Sequence, residues 1–405
     1  MKKDFYKYQA QTSANPLALE IAKAKGSYVY TTDGKAYLDF IAGVSANTLG
    51  HAPKIVSDAI KKQLEKYTHV MVYGEFVQKP QVALSKLLVE NLPANLNSVY
   101  LTNSGTEATE GALKLAKRLT NRFEIIAAKN AYHGNSQGAM SIAGNEETKQ
   151  AFRPLIPGTK FIEFNNLEDI EKINSTTAAV ILESIQGGAG FIIPEKGYLK
   201  AIKKRCDEVG ALLILDEIQS GMGRTGKLFE FENQEVTPDI LITGKGLGGG
   251  MPIGAFISSS EKMALFQENP KLGHITTFGG HPVIAAAGLA TLKEILTSNL
   301  MNEIAAKEML FRKLLIHPLI KEIRGKGLML ALLFETPAIA SVVILKALEH
   351  GLLLFWLLFE HKAVRITPAL TISNEEIEKG CEILIETMDA IFCSCEYVSL
   401  LKEND

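Results

Sequence analysis

Six short apolar runs, Val99 to Thr102, Ile125 to Ala128, Ala179 to Leu182, Leu212 to Leu215, Ile240 to Thr243 and Ala255 to Ser258, alternate with segments of helical spacing. Runs this short and this continuously apolar read as strands buried on both faces, and strands that alternate with helices build a mostly parallel sheet covered on both sides. The fold class is therefore α/β. A chain of 405 residues is too long for one ordinary core of about 150 residues, so a second, smaller body is expected.

That second body has no tether. Val29 to Thr31, a turn at Asp33-Gly34, and Ala36 to Phe40 predict an N-terminal hairpin with a tight primed turn. Helical spacing follows at Ile55, Ala59, Ile60 and Leu64, and again from Val82 to Leu92. After about residue 285 helices dominate to near 317. A strand from Leu328 to Phe334, a helix near 338 to 350, two further strands and a helix from Asn374 to Phe392 complete the chain. No Ser/Gly linker or repeat interrupts the sequence. We expect a large α/β body over residues 48–290 and an interwoven small α+β body from 1–47 and 291–405.

Composition excludes some partners. Forty-three Lys plus Arg balance 45 Asp plus Glu, with no block of like charge, so there is no electrostatic footprint for nucleic acid or an anionic membrane. The longest apolar run, Leu352 to Phe359, is far below the roughly 20 residues that span a bilayer, and it reads as a buried strand. Nothing near Met1 resembles an export signal, and Cys206, Cys381, Cys393 and Cys395 match no metal or redox spacing. Reduced thiols, no metal and a cytoplasmic location are the expectation.

The polar residues that follow the runs carry the chemistry. Ser104, His133, Glu183, Asp216 and Lys245 each come just after one, and in an open parallel sheet those strand ends share one edge, where ligands bind. Asn103-Ser104-Gly105-Thr106-Glu107 opens a helix. It is either a phosphate site, through free amides and the Thr106 hydroxyl, or a capping box between Ser104 and Glu107. Gly244-Lys245-Gly246-Leu247-Gly248-Gly249 matches a dinucleotide fingerprint but is followed by Pro252 and another strand, with no helix to receive a pyrophosphate. The glycines instead free space around Lys245, whose desolvated amine suits Schiff-base chemistry, unless it is a surface lysine on a loop. Asp216 is suited to hold a pyridine nitrogen protonated, or to cap a helix. Tyr132 could stack on a flat cofactor or pack in a core. One cofactor explains phosphate site, aromatic, carboxylate and lysine together: pyridoxal 5'-phosphate.

The same residues make the chain resemble the class III (ω-amino acid) aminotransferases of fold-type I, nearest the acetylornithine and ornithine aminotransferases. The resemblance rests on Leu38-Asp39-Phe40, the 103–108 segment, Tyr132-His133-Gly134, Asp216 to Gly226, the Lys245 loop and Thr276 to Gly280. It implies that Lys245 carries the cofactor and moves the proton, Asp216 pairs with the ring nitrogen, and Gln219 reaches the ring hydroxyl. Tyr132 and Ile218 would sandwich the ring, with His133 beside them, and Ser104, Gly105 and Thr106 would hold the phosphate. Thr277 would complete that site from the other subunit of a homodimer. Glu183 would stand behind the cofactor, Arg365 would bind a substrate carboxylate, and Val44, Ser45, Tyr73, Asn135 and Thr276 would line the substrate side.

Two positions depart from the family. Where it usually places a glutamate that covers the carboxylate-binding arginine, this chain has Gly188; where ornithine-type enzymes place a distal arginine, it has Asn135. Loss of a charged hydrogen bond, about 1.5 to 3 kcal/mol, implies weaker binding of glutamate or 2-oxoglutarate. The reading is an aminotransferase acting on an ω-amino acid such as ornithine or acetylornithine and on a 2-oxo acid. An aminomutase or decarboxylase with the same cofactor, or a cofactor-binding regulator without turnover, are the alternatives.

Overall fold

The computed structural model describes residues 1–71, 74–394 and 400–401; Tyr73 and Cys395 lie outside them. The first three strands are β1 (Ile21–Lys25), β2 (Tyr28–Thr31) and β3 (Ala36–Asp39). The hairpin between β2 and β3 is present, but its turn differs from the expected one. The loop is three residues, Thr32 to Gly34, closed by Thr31 N–H to Lys35 O and Gly34 N–H to Thr31 O. Only Gly34 takes a left-handed φ, 87°, the form of a longer hairpin loop rather than a primed two-residue turn.

The central sheet holds β4 (Ser98–Thr102), β5 (Glu124–Ala128), β6 (Thr159–Ile162), β7 (Thr177–Glu183), β8 (Leu212–Asp216), β9 (Ile240–Gly244) and β10 (Gly254–Ser258). Their spatial order is β4-β10-β9-β8-β7-β5-β6, and β10 alone runs antiparallel to its neighbours. All six apolar runs are strands of this sheet. β6 was not anticipated, because Thr-Lys-Phe-Ile at a sheet edge is only half apolar. The strands β5, β7 and β9 are buried along their whole length, as two helical covers require.

The last third forms a second sheet from β11 (Glu322–Lys326), β12 (Met329–Leu333), β14 (Phe355–Trp356) and β15 (Ala363–Ile366), in the order β11-β12-β15-β14. Between them β13 (Leu352–Leu353) leaves to pair in parallel with β3, which ties the N-terminal hairpin to the C-terminal region. The run Leu352 to Phe359 is thus not one buried strand. It is split between two sheets, with Phe355 of β14 exposed, and ends in a loop where Leu358 is exposed. A separate apolar core joins Leu38 and Phe40 to Phe311, Leu330, Val364 and Leu384. Among the described residues no single helix is long and apolar enough to cross a membrane.

Candidate active site

The C-terminal ends of β5, β7, β8 and β9 deliver Tyr132, Glu183, Asp216 and Lys245 to one edge, with the helix Gly105–Thr120 opening after β4. Lys245 begins a short turn immediately after β9 with φ 39°, a left-handed conformation that Gly244 and Gly246 on either side leave room for. A Cβ at 246 would lie 2.4 Å from Thr48 Oγ1, so the loop 42–48 closes tightly over this turn. Burial and the nearby Arg365 guanidinium lower the Lys245 amine to about 8, against the pull of Asp216 and Glu183. An amine near 8 is neutral often enough at physiological pH to act as nucleophile and base.

Asp216 is held from two sides. Its Oδ1 accepts the Ile218 amide at 3.0 Å, and its Oδ2 lies 2.8 Å from His133 Nδ1. His133 is fully buried; burial disfavours its charged form, but the Asp216 carboxylate outweighs this and raises its pKa. Glu183 accepts the amides of Tyr132 (3.3 Å) and Gly187 (3.0 Å), and burial raises it to about 7 despite His133. Gln219 donates to Ser45 Oγ at 3.5 Å. Ser45 and Val44 both have left-handed φ, 67° and 57°, strain of the kind that collects at binding sites.

At the head of the helix Gly105–Thr120, Ser104 Oγ accepts the Glu107 amide at 3.3 Å. The capping box is only half formed: the Glu107 carboxylate turns to Asn103, taking its backbone and side-chain amides at 2.9 and 2.8 Å. Ser104 engages the amides of Glu107 and Ala108, and those of Gly105 and Thr106 stand ahead of that cap at the positive end of the helix. A Cβ at 105 would fall 2.5 Å from Ile218 Cδ1, and one at 134 would fall 2.2 Å from Thr106 Oγ1. The cradle is therefore built for bare backbone. The Thr106 hydroxyl is shared with Ser136, Oγ to Oγ 2.7 Å. Thr276 Oγ1 accepts Asn103 Nδ2 at 3.1 Å, while Thr277 is exposed.

Arg365, on β15, is 6% exposed, and its Nε and Nη1 have no hydrogen-bond partner among the described residues. A buried guanidinium in that condition is built for an anion. Asn135 is exposed and neutral. The structure thus gathers Lys245, the Asp216–His133 pair, the free amides at the head of the helix Gly105–Thr120 and the buried Arg365; Tyr73 lies outside the described residues. Two residues were not anticipated in a role. Arg224 is fully buried, donates to the carbonyls of Leu328 (3.1 Å) and Pro368, and is lowered to about 9 by burial. Phe359 packs on Gly188. No sequence signal marks Phe359, because it approaches from the loop that follows β14.

A phosphate cradle of backbone amides, a carboxylate backed by histidine and a depressed lysine fit pyridoxal phosphate. The sequence profile of class-III aminotransferases matches residues 8–388. An acetylornithine aminotransferase from Caldanaerobacter subterraneus is 39% identical over 93% of this chain and 96% of its own. The ornithine aminotransferase of Toxoplasma gondii superposes with a TM-score of 0.89 at 31% identity, covering 97% of this chain and 95% of that one. The ω-transaminase of Pseudomonas jessenii in complex with PMP gives 0.90 at 26% identity, covering 96% and 98%. The chain belongs to the class-III aminotransferases. It is a transaminase of fold-type I that works with pyridoxal phosphate.

Proposed function

We propose that this enzyme takes the amino group of an ω-amino acid of the acetylornithine kind and passes it to a 2-oxo acid in two half-reactions. The observation that carries the reading is Lys245, lowered to about 8, on the same crevice edge as the Asp216–His133 pair and beside the buried Arg365. When bound, pyridoxal phosphate supplies an electron sink for the carbon that loses its proton. Lys245 would carry the cofactor and move that proton. Asp216, backed by His133, would keep the ring nitrogen protonated, and Gln219 would serve the ring hydroxyl. Tyr132 and Ile218 would hold the ring, and Ser104, Gly105 and Thr106 would take the phosphate. Glu183 fixes the Tyr132 backbone, and Arg365 would take a substrate carboxylate, with Val44, Asn135 and Thr276 on the substrate side; Tyr73, expected there from the sequence, lies outside the described residues.

The experiment is turnover of holoenzyme with acetylornithine and a 2-oxo acid. K245A should lose the cofactor's visible absorbance and reduce turnover by about 10² to 10⁴ or more. Full activity in K245A, or an amino group that stays on the donor skeleton, would end the aminotransferase reading. Loss of CO2 would replace it by decarboxylation.

A homodimer with shared sites belongs to the same proposal. A groove of about 940 Å³ is lined by 74–78, Leu272, His274 and Ile275, and Val77 at its rim is 94% exposed. The exposed apolar side chains Phe76, Val77, Leu272 and Ile275 cluster there and support an interface, and Thr277 follows Thr276 of the same lining. Mixing T277A with K245A, each impaired alone, should restore activity in heterodimers with one complete site; no recovery after subunit exchange argues against sharing. Two separate cores support the division into 48–290 and 1–47 with 291–405. The buried thiols Cys206 and Cys381, both pushed up to about 12 by burial, are consistent with a cytoplasmic location, which cell fractionation tests.

A further inference from the structure

Arg365 rises from an apolar floor. Its Cα partner across the sheet is Ala331, and residues that face each other or alternate along a strand share one side. Met329, Ala331 and Ala363 therefore lie on the guanidinium's side, and they join Ile185 and Leu357 in a buried apolar cluster. Burial alone lowers the Arg365 pKa to about 10, with no carboxylate opposing it. The acids nearest in sequence to Ile185 and Leu357, Glu183 and Glu360, are engaged elsewhere. Glu183 takes the amides of Tyr132 and Gly187. Glu360 faces Arg324 at 3.8 Å and takes the Lys362 amide at 3.4 Å.

A side chain at position 188 would have to displace the Phe359 ring. A Cβ there would lie 2.8 and 3.0 Å from Phe359 Cδ2 and Cε2 and 3.6 Å from Leu358 Cβ, and the Phe359 amide donates to Gly188 O at 2.9 Å. The neighbouring Gly187 touches both regions: a Cβ on it would lie 3.1 Å from Glu183 Oε1 and 3.7 Å from Met329 Cε. Phe355 is the Cα partner of Arg365 on the other side of β15, so the segment that leaves the arginine's strand runs through Leu357 to Phe359, which seats on Gly188. Among the described residues no acid pairs with Arg365, so its anion comes from substrate in both half-reactions. Ile185, Met329, Ala331, Leu357 and Ala363 give that carboxylate an apolar floor, and Asn135 is neutral.

We propose that Phe359, seated on Gly188, is a specificity-determining residue that keeps Arg365 uncovered and its surroundings apolar. The acceptor it selects is a 2-oxo acid with one carboxylate and an uncharged side chain, in preference to a dicarboxylate. The proposal rests on the aminotransferase reading and names the acceptor class for the same site. A second carboxylate would be desolvated without a partner, which costs binding.

The test loads the enzyme with pyridoxamine phosphate and follows return of the visible absorbance with pyruvate, 2-oxobutyrate and 2-oxoglutarate. Wild type should favour the first two by about 10- to 100-fold in kcat/KM, chiefly through KM. F359A should bring the ratio toward one, and the conservative F359M should keep it. Discharge led by 2-oxoglutarate, or an unchanged ratio in F359A that still binds cofactor, overturns this proposal alone. If F359A does not fold, the wild-type ordering and F359M decide. Failure of all three acids overturns the aminotransferase reading, and this proposal with it.

Discussion

At the scale of single residues, the reactivity of Lys245 is set by charges that lie far away in sequence. Burial depresses its amine, and Arg365 and Arg224 push in the same direction. The sign gives a prediction. The neutral, reactive fraction of Lys245 should rise through about pH 8 in the rate at which cofactor-free enzyme captures pyridoxal phosphate. R365A removes a cation, so the amine holds its proton more tightly and the midpoint moves to higher pH; R365K keeps the charge and the wild-type midpoint. Identical profiles for all three would remove Arg365 from this role. Lys245 and Asp216 were legible in the sequence because each follows an apolar run, and strand ends share an edge by topology. The pairing of Asp216 with His133 was not legible, since the two meet only when β5 and β8 are placed on either side of β7.

At the scale of elements, two close approaches set what the chain tolerates. The helix Gly105–Thr120 begins against the loop that follows β8, and G105A drives a Cβ into Ile218. We expect about tenfold or greater loss of pyridoxal phosphate affinity from the displaced amides, measured by equilibrium dialysis. I218A in the same chain should recover part of it. The second approach joins the two chain ends: a Cβ at Gly380, in the helix Asn374–Phe392, would lie 2.1 Å from Phe40 Cζ. G380A should destabilise by about 1 to 3 kcal/mol in urea unfolding, and F40L should relieve it. Equal stability of G380A and wild type would show that the helix shifts freely. Most of these elements were readable, including the helix Asn374–Phe392, because its apolar spacing and Ser373 cap are local signals. The run Leu352 to Phe359 was misread for the complementary reason. Continuous apolarity says that a segment is covered, but not that β13 and β14 are covered by different sheets, nor that Phe359 ends on Gly188.

For the whole molecule, the near balance of 43 basic and 45 acidic residues hides strongly displaced groups at the crevice. Glu183 and Glu217 are both raised by burial to about 7 from 4.5. Glu217 accepts Ser220 Oγ and the amides of Glu230 and Phe231, yet those bonds do not offset its desolvation. Between those two values the folded chain holds protons that the unfolded chain has released, so its stability falls as pH rises. His133, also raised, acts in the same sense, being lost as a stabilising charge when pH passes its folded value. Lys245, lowered to about 8 from 10.5, acts oppositely above that range: its burial cost is relieved as the amine loses its proton. The cofactor-free protein should therefore show a shallow minimum of stability near pH 7 to 8. Thermal unfolding of wild type and E217Q from about pH 5 to about pH 9 checks this. E217Q cannot ionise, so its curve should flatten below pH 7, with a gain relative to wild type on the order of 2 kcal/mol between the ends of that interval. Parallel curves would mean that Glu217 ionises as an ordinary carboxylate and that the minimum has another origin. Pyridoxal phosphate binds only the folded chain, so it should raise the unfolding temperature throughout this range.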